Sequence, residues 1–97
     1  MFRLILTNEA QQKYHALKND TPSENIYKAV KKTLKFLAIN QRHNSLQTHK
    51  YQSIKGKNGD KIFESYAQQR TPSAYRVFWS YGPFKNSITI LSITPHP

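Results

Sequence analysis

Arg76 lies within AYRVFWSY (Ala74 to Tyr81), a strand-length run rich in aromatic and β-branched residues. Period-2 alternation puts Tyr75, Val77, Trp79 and Tyr81 on one face and Arg76, Phe78 and Ser80 on the other. A lone guanidinium in the middle of a sheet calls for an anion or an open groove. It is either a phosphate clamp or an outward arginine paired across strands with Glu64. The other reactive types are sparse: the acids are Glu9, Asp20, Glu24, Asp60 and Glu64, the histidines are His15, His43, His49 and His96, and there is no cysteine. Thiolate chemistry and Cys-bound zinc are therefore excluded. The acids show no paired-carboxylate, HExxH or nucleophile-elbow pattern, and the histidines lack ligand spacing, so neither a metal nor another cofactor is expected.

These residue types suit metal-free cleavage of RNA. In that reaction a 2′-hydroxyl attacks its own phosphate, a base takes its proton, cations hold the phosphorane and an acid protonates the leaving oxygen. Arg76 is the candidate clamp, His49 or Glu64 the base, and His96 or Tyr81 the acid, with Lys50, Lys55 and Lys57 adding charge. The balance of the whole chain points the same way. In 97 residues, 15 Lys and Arg stand against 5 Asp and Glu, a formal charge of +10, and nine of the cations fall between Lys28 and Lys61 with Asp60 the one acid among them. Such concentration predicts a polyanion-reading surface that includes Lys28, Lys31, Lys32, Lys35 and Lys61. The same basic surface also suits docking of an acidic protein.

The elements that must position these groups form one domain, residues 1–97, with room for one sheet and one helical layer. Phe2 to Leu6 reads as a first strand. Thr7 or Asn8 then caps a helix with Ala10, Tyr14 and Leu17 on one face, ending at Asn19-Asp20. Thr21-Pro22-Ser23-Glu24 has the form of a capping box, and the helix it opens carries the stripe Ile26, Val30, Leu34 and Leu37 as far as Asn40. The two helices form a hairpin laid on the sheet, with the stripe against Val77 and Trp79. Gln41 to Ser53 reads as a loop entering a short strand, and Lys55 to Asp60 as a basic turn. The segments Ile62 to Ala67, Ala74 to Tyr81 and Ser87 to Thr94 read as consecutive antiparallel strands. Pairing across the Gly82 to Asn86 turn sets Tyr81 beside Ser87 and Arg76 beside Ser92. His96 must then fold back to reach Arg76, joining it in one site with Tyr81 or Lys50. The opening run MFRLILT is too short for a signal segment and no stretch reaches membrane-span length, so a cytoplasmic protein with no membrane partner is expected.

The order of strand, helical hairpin and closing strands, with AYRVFWSY in the middle and ITILSITPHP at the end, resembles the RelE/ParE toxin superfamily of type II toxin–antitoxin systems. The resemblance covers essentially the whole chain. It implies an α+β fold with an N-terminal strand, a helical hairpin and an antiparallel sheet of three or four strands. In its RelE-like branch it implies ribosome-dependent cleavage of mRNA, with an acidic antitoxin, the ribosome and mRNA as partners. There the arginine of a YRV strand contacts the scissile phosphate, a role that passes to Arg76. A C-terminal histidine or tyrosine with acid–base or stacking duties corresponds to His96, and basic residues before the hairpin correspond to Lys50, Lys55 and Lys57. The chain departs from the family in ending TPHP. ParE-like relatives share the fold but inhibit DNA gyrase, so the alternatives to an RNase are a non-enzymatic inhibitor and a basic RNA-binding module without toxicity.

Overall fold

The computed structural model describes residues 1–55 and 59–96, residues 52–55 by their backbone alone. A short N-terminal strand, β1 (Arg3–Leu6), leads into α1 (Asn8–Lys18) and α2 (Glu24–Ile39). Four strands follow, β2 (His49–Lys55), β3 (Lys61–Tyr66), β4 (Tyr75–Tyr81) and β5 (Ser87–Pro95). They form one five-stranded sheet in the order β1-β5-β4-β3-β2. The sheet is antiparallel except at one edge, where β1 runs parallel to β5 with Arg3 opposite Ser87 and Leu6 opposite Ile90. The parallel pair joins the two ends of the chain, with both helices and β2 to β4 lying between β1 and β5.

Thr7 sets the start of α1: its hydroxyl accepts the Ala10 N–H at 3.1 Å and donates to the Leu91 carbonyl at 2.9 Å, tying the helix to β5. The capping box expected at Thr21 does not form. Thr21–Ser23 makes a separate 3-10 turn with Pro22 in its first positions, so the cap of α2 moves to Ser23, whose hydroxyl bonds Asp20 instead of a helix N–H. The expected stripe is buried as read: Val30, Leu34 and Leu37 join Ala10 and Leu17 of α1, Leu46, Val77 and Trp79 of β4, and Ile88, Ile90 and Ile93 of β5 in one core, with Ile26 packed at its margin. In this layer α1 lies on β5 and α2 on β4.

The loop read as entering a short strand within Gln41 to Ser53 does so at His49, where β2 begins, held by pairing with Glu64, Phe63 and Ile62 of β3. One further expectation is corrected. The β4–β5 register differs from the one counted from the turn: Tyr81 lies opposite Ile88 rather than Ser87, and Arg76 opposite Thr94 rather than Ser92. One residue of the difference arises at the turn, where Gly82 takes a positive φ of 96° and Asn86 one of 56°. The other is a bulge, since Phe78 faces Ser92 while Trp79 faces Ile90, leaving Leu91 unmatched. His96 consequently needs no fold-back. Its N–H donates to the Ala74 carbonyl at 2.9 Å, so the strand pairing itself delivers it beside Arg76.

Candidate active site on the open face of the sheet

The face of the sheet turned away from the helices carries the reactive groups. Glu64, in the middle of β3, is 2% exposed, although no helix lies over it. Its burial comes from neighbouring long side chains: cross-strand pairing puts His49 directly opposite on β2 and Phe78 directly opposite on β4. One carboxylate oxygen accepts from Arg76 Nη1 and the other lies 2.7 Å from His49 Nε2. A carboxylate taken out of water needs such partners, and here two cation-forming groups from the flanking strands supply them.

Each partner is itself oriented. The central carbon of the Arg76 guanidinium lies 5.2 Å from the centroid of the Phe78 ring, and its Nε is buried with no hydrogen-bond partner among the described residues. The His49 ring stands edge-on to Tyr66 at 5.7 Å, and its Nδ1 is 3.2 Å from the Gln47 carbonyl oxygen. Beneath this cluster a buried polar relay fixes the start of β2: the Trp79 indole N–H donates to the Ser65 hydroxyl at 2.8 Å, which meets the Thr48 hydroxyl at 2.7 Å.

Two clefts flank the cluster. One, of about 470 Å³, is lined by Arg76, His96, Tyr66, Gln47 and the segment from Gln68 to Ala74. The other, of about 500 Å³, is lined by His49, Lys50, Tyr81, Phe63, Trp79 and the segment from Gln41 to Thr48. Gln47 belongs to both, and the buried Glu64 bridges from one to the other through Arg76 and His49. The expected site is thus divided. Arg76 and His96 come together as anticipated, whereas Tyr81 and Lys50 belong to the other cleft. The reason is strand parity: Tyr81 is five residues from Arg76 and points to the opposite face.

The remaining predicted cations are spread out. Lys28, Lys31, Lys32 and Lys35 are exposed on α2, with Lys28 paired to Glu24 at 3.2 Å and Lys32 over the Phe36 ring at 5.6 Å. Lys61 is exposed at the start of β3, Lys55 is placed opposite it by backbone pairing, and Lys57 lies outside the described residues. Among the described residues, no three of His, Asp or Glu are grouped closely enough to hold a metal ion. Sequence reasoning missed Gln47, Tyr66 and Arg70 as cleft residues. Gln47, Arg70 and Ser73 adopt positive φ values of 47°, 61° and 55°, a backbone form that loop sequence does not announce for such side chains.

No protein-family model and no curated protein sequence matches the chain. Solved structures do. The chain superposes on the RelE–RelB complex structure from the archaeon Pyrococcus horikoshii OT3 with a TM-score of 0.66 at 15% identity, covering 97% of this chain and 93% of that one. It superposes on a YoeB/ParE toxin from Agrobacterium tumefaciens with a TM-score of 0.69 at 7% identity, covering 98% and 99%. A copper-bound mutant toxin from Helicobacter pylori gives 0.53 at 17% identity, covering 99% and 96%. The fold is therefore that of the RelE/ParE toxins. The α+β architecture expected from sequence is present, with the sheet extended to five strands by β1 and β2.

Proposed function

We propose that the chain is a toxin of a type II toxin–antitoxin pair that cleaves mRNA on the ribosome and is neutralised by an acidic antitoxin. The observation that carries this reading is the bracing of Arg76 and His49 by one buried carboxylate, with His96 on the wall of the Arg76 cleft. The toxin fold, the RelB partner named for the Pyrococcus horikoshii structure and the charge of +10 support it.

In this mechanism the 2′-oxygen bonds to phosphorus as the bond to the 5′-oxygen breaks, leaving a cyclic phosphate and a 5′-hydroxyl. Arg76 faces the phosphorane charge. Glu64 is too buried to touch a nucleotide and acts as a positioning residue: it accepts the Nε2–H of the neutral His49 ring, so that Nδ1 carries the free lone pair and takes the proton of the attacking 2′-hydroxyl. His96 gives the leaving oxygen its proton. Arg76→Ala is expected to lose ~10² to 10³ of the cleavage rate, the size of one lost electrostatic stabiliser, in an assay of purified protein on ribosomes programmed with a defined mRNA. His96→Ala is expected to lose rate on that mRNA and to regain it on one whose leaving oxygen is replaced by sulfur, which departs without a proton. Full cleavage by the Arg76 variant would sink the assignment.

One observation favours a second reading, non-enzymatic inhibition of DNA gyrase: the Arg76 guanidinium is already engaged by Glu64, as a purely structural arginine would be. Inhibition of DNA supercoiling by a protein that cuts no mRNA on ribosomes would establish that reading in place of the first.

A further inference from the structure

The cleft on the far side of β2 contains groups that the reaction above does not use. It opens where the helical layer ends and the inner face of β3 and β4 continues outward beneath the segment from Gln41 to Thr48. Its floor is aromatic. The Phe63 and Trp79 rings stack at 4.8 Å and 24°, and Tyr81 stands edge-on to both, at 5.6 Å and 77° from Phe63 and 5.0 Å and 85° from Trp79. Tyr81 remains 47% exposed, so part of this π-surface is open to a ligand. The rim is cationic. Arg42 and Lys50 are both exposed, and no acid among the described residues pairs with either. His43 is pinned between them and the core: its ring stacks on Phe36 at 4.2 Å and 10°, and its Nδ1 accepts the Ser45 N–H at 3.1 Å, leaving Nε2 as the donor nitrogen.

A loop that merely covered the core would close over the rings, and a solvated basic loop would have no ring floor. The half-exposed Tyr81 ring, backed by Phe63 and Trp79 and rimmed by two cations that pair with no acid among the described residues, borders a space of about 500 Å³ and has the chemistry of a single-stranded nucleotide site, where a base stacks and its phosphate meets the cations. We propose that this cleft is a base-stacking subsite for single-stranded RNA, with Tyr81 as the stacking platform and Arg42 and Lys50 as phosphate contacts. Gln47 lines both clefts, so the nucleotide held here is a near neighbour of the phosphate at Arg76, an assignment that rests on the RNA-cleavage reading. The subsite then contributes to which sequence around the scissile bond is accepted, since stacking strength differs among bases.

The test is titration of the full chain with a short single-stranded 2′-O-methyl oligoribonucleotide, which lacks the attacking hydroxyl. The emission of Trp79, the chain's one tryptophan and part of the cleft floor, reports occupancy. Saturable quenching is expected. Tyr81→Ala should weaken binding roughly 10-fold or more, as loss of one stacked base does. The exposed pair Arg42→Ala with Lys50→Ala should weaken it and flatten its dependence on salt. The proposal is overturned by absence of quenching or by affinity unchanged in both variants. The two readings fail separately. Quenching that responds to Tyr81→Ala in a protein that cuts no ribosomal mRNA keeps the subsite and removes the reaction; wild-type cleavage and affinity in both variants keep the reaction and remove the subsite.

Discussion

The two faces of the sheet bury their residues by opposite means. Under the helices, Val77, Trp79, Ile88, Ile90 and Ile93 meet the stripe Val30, Leu34 and Leu37, and burial there is almost wholly apolar. On the open face, Glu64 is as buried as Ile93 and more so than Leu34, but what covers it is a ring of polar and aromatic side chains from β2 and β4. Apolar burial stabilises a fold by about 25 cal/mol per Å² removed from water, whereas a buried ion pair recovers little more than its own desolvation. One face therefore accounts for why the chain folds. The other holds a buried charge pair that folding does not require, on the face where the proposed site lies.

The covered face should show the largest effect on stability. Leu37 is fully buried between α2 and the sheet, so Leu37→Ala is expected to cost ~2 to 5 kcal/mol, measured by urea unfolding. A cost within error of zero would mean that the helical layer does not carry the core. The open face should respond differently. Replacing both members of its ion pair, Glu64→Met with Arg76→Met, removes the desolvated charges together and is expected to leave stability unchanged or to raise it by ~1 kcal/mol, while abolishing any cleavage. If the double variant lost as much stability as Leu37→Ala, the contrast between the faces would collapse, and the cluster would count as structural.

The same contrast explains what could be read from sequence. The covered face was legible because its signals are periodic: a 3.6-residue stripe in α2 and period 2 in β4 gave the core partners correctly. Arg76 and Glu64 could also be paired in advance from strand order. Register could not, because the bulge at Leu91 and the turn at Gly82 to Asn86 are set by backbone conformations that no side-chain pattern marks. Those two features decide that His96 arrives beside Arg76 along the strand. The loop from Gln41 to Thr48 was similarly opaque, since its place is fixed by contacts distant in sequence: Leu46 in the core, the Thr48–Ser65 hydroxyl pair, and the Gln69 amide on the Ser45 carbonyl at 3.0 Å.

The smallest effect lies at the open end of the covering layer, where α1 and α2 meet. The Tyr14 and Tyr27 rings pack at 5.3 Å and 48° across the helical hairpin. Burial, followed by the hydrogen bond and charge of Tyr27, pushes the Tyr14 phenol from its ordinary 10.0 up to about 12. The folded protein thus keeps this proton at pH values where the unfolded chain has lost it. A group raised in the folded state contributes stability that is fully present below its unfolded value and is lost as the pH climbs through its folded value. Wild type should therefore lose stability relative to Tyr14→Phe between about pH 10 and about pH 12, and the two should run parallel below that window. Urea midpoints measured across this range provide the check. A difference that stays constant through the alkaline range would show that Tyr14 is as well hydrated in the fold as in the open chain, and that the helical layer does not close over its hairpin contact as it closes over Leu37.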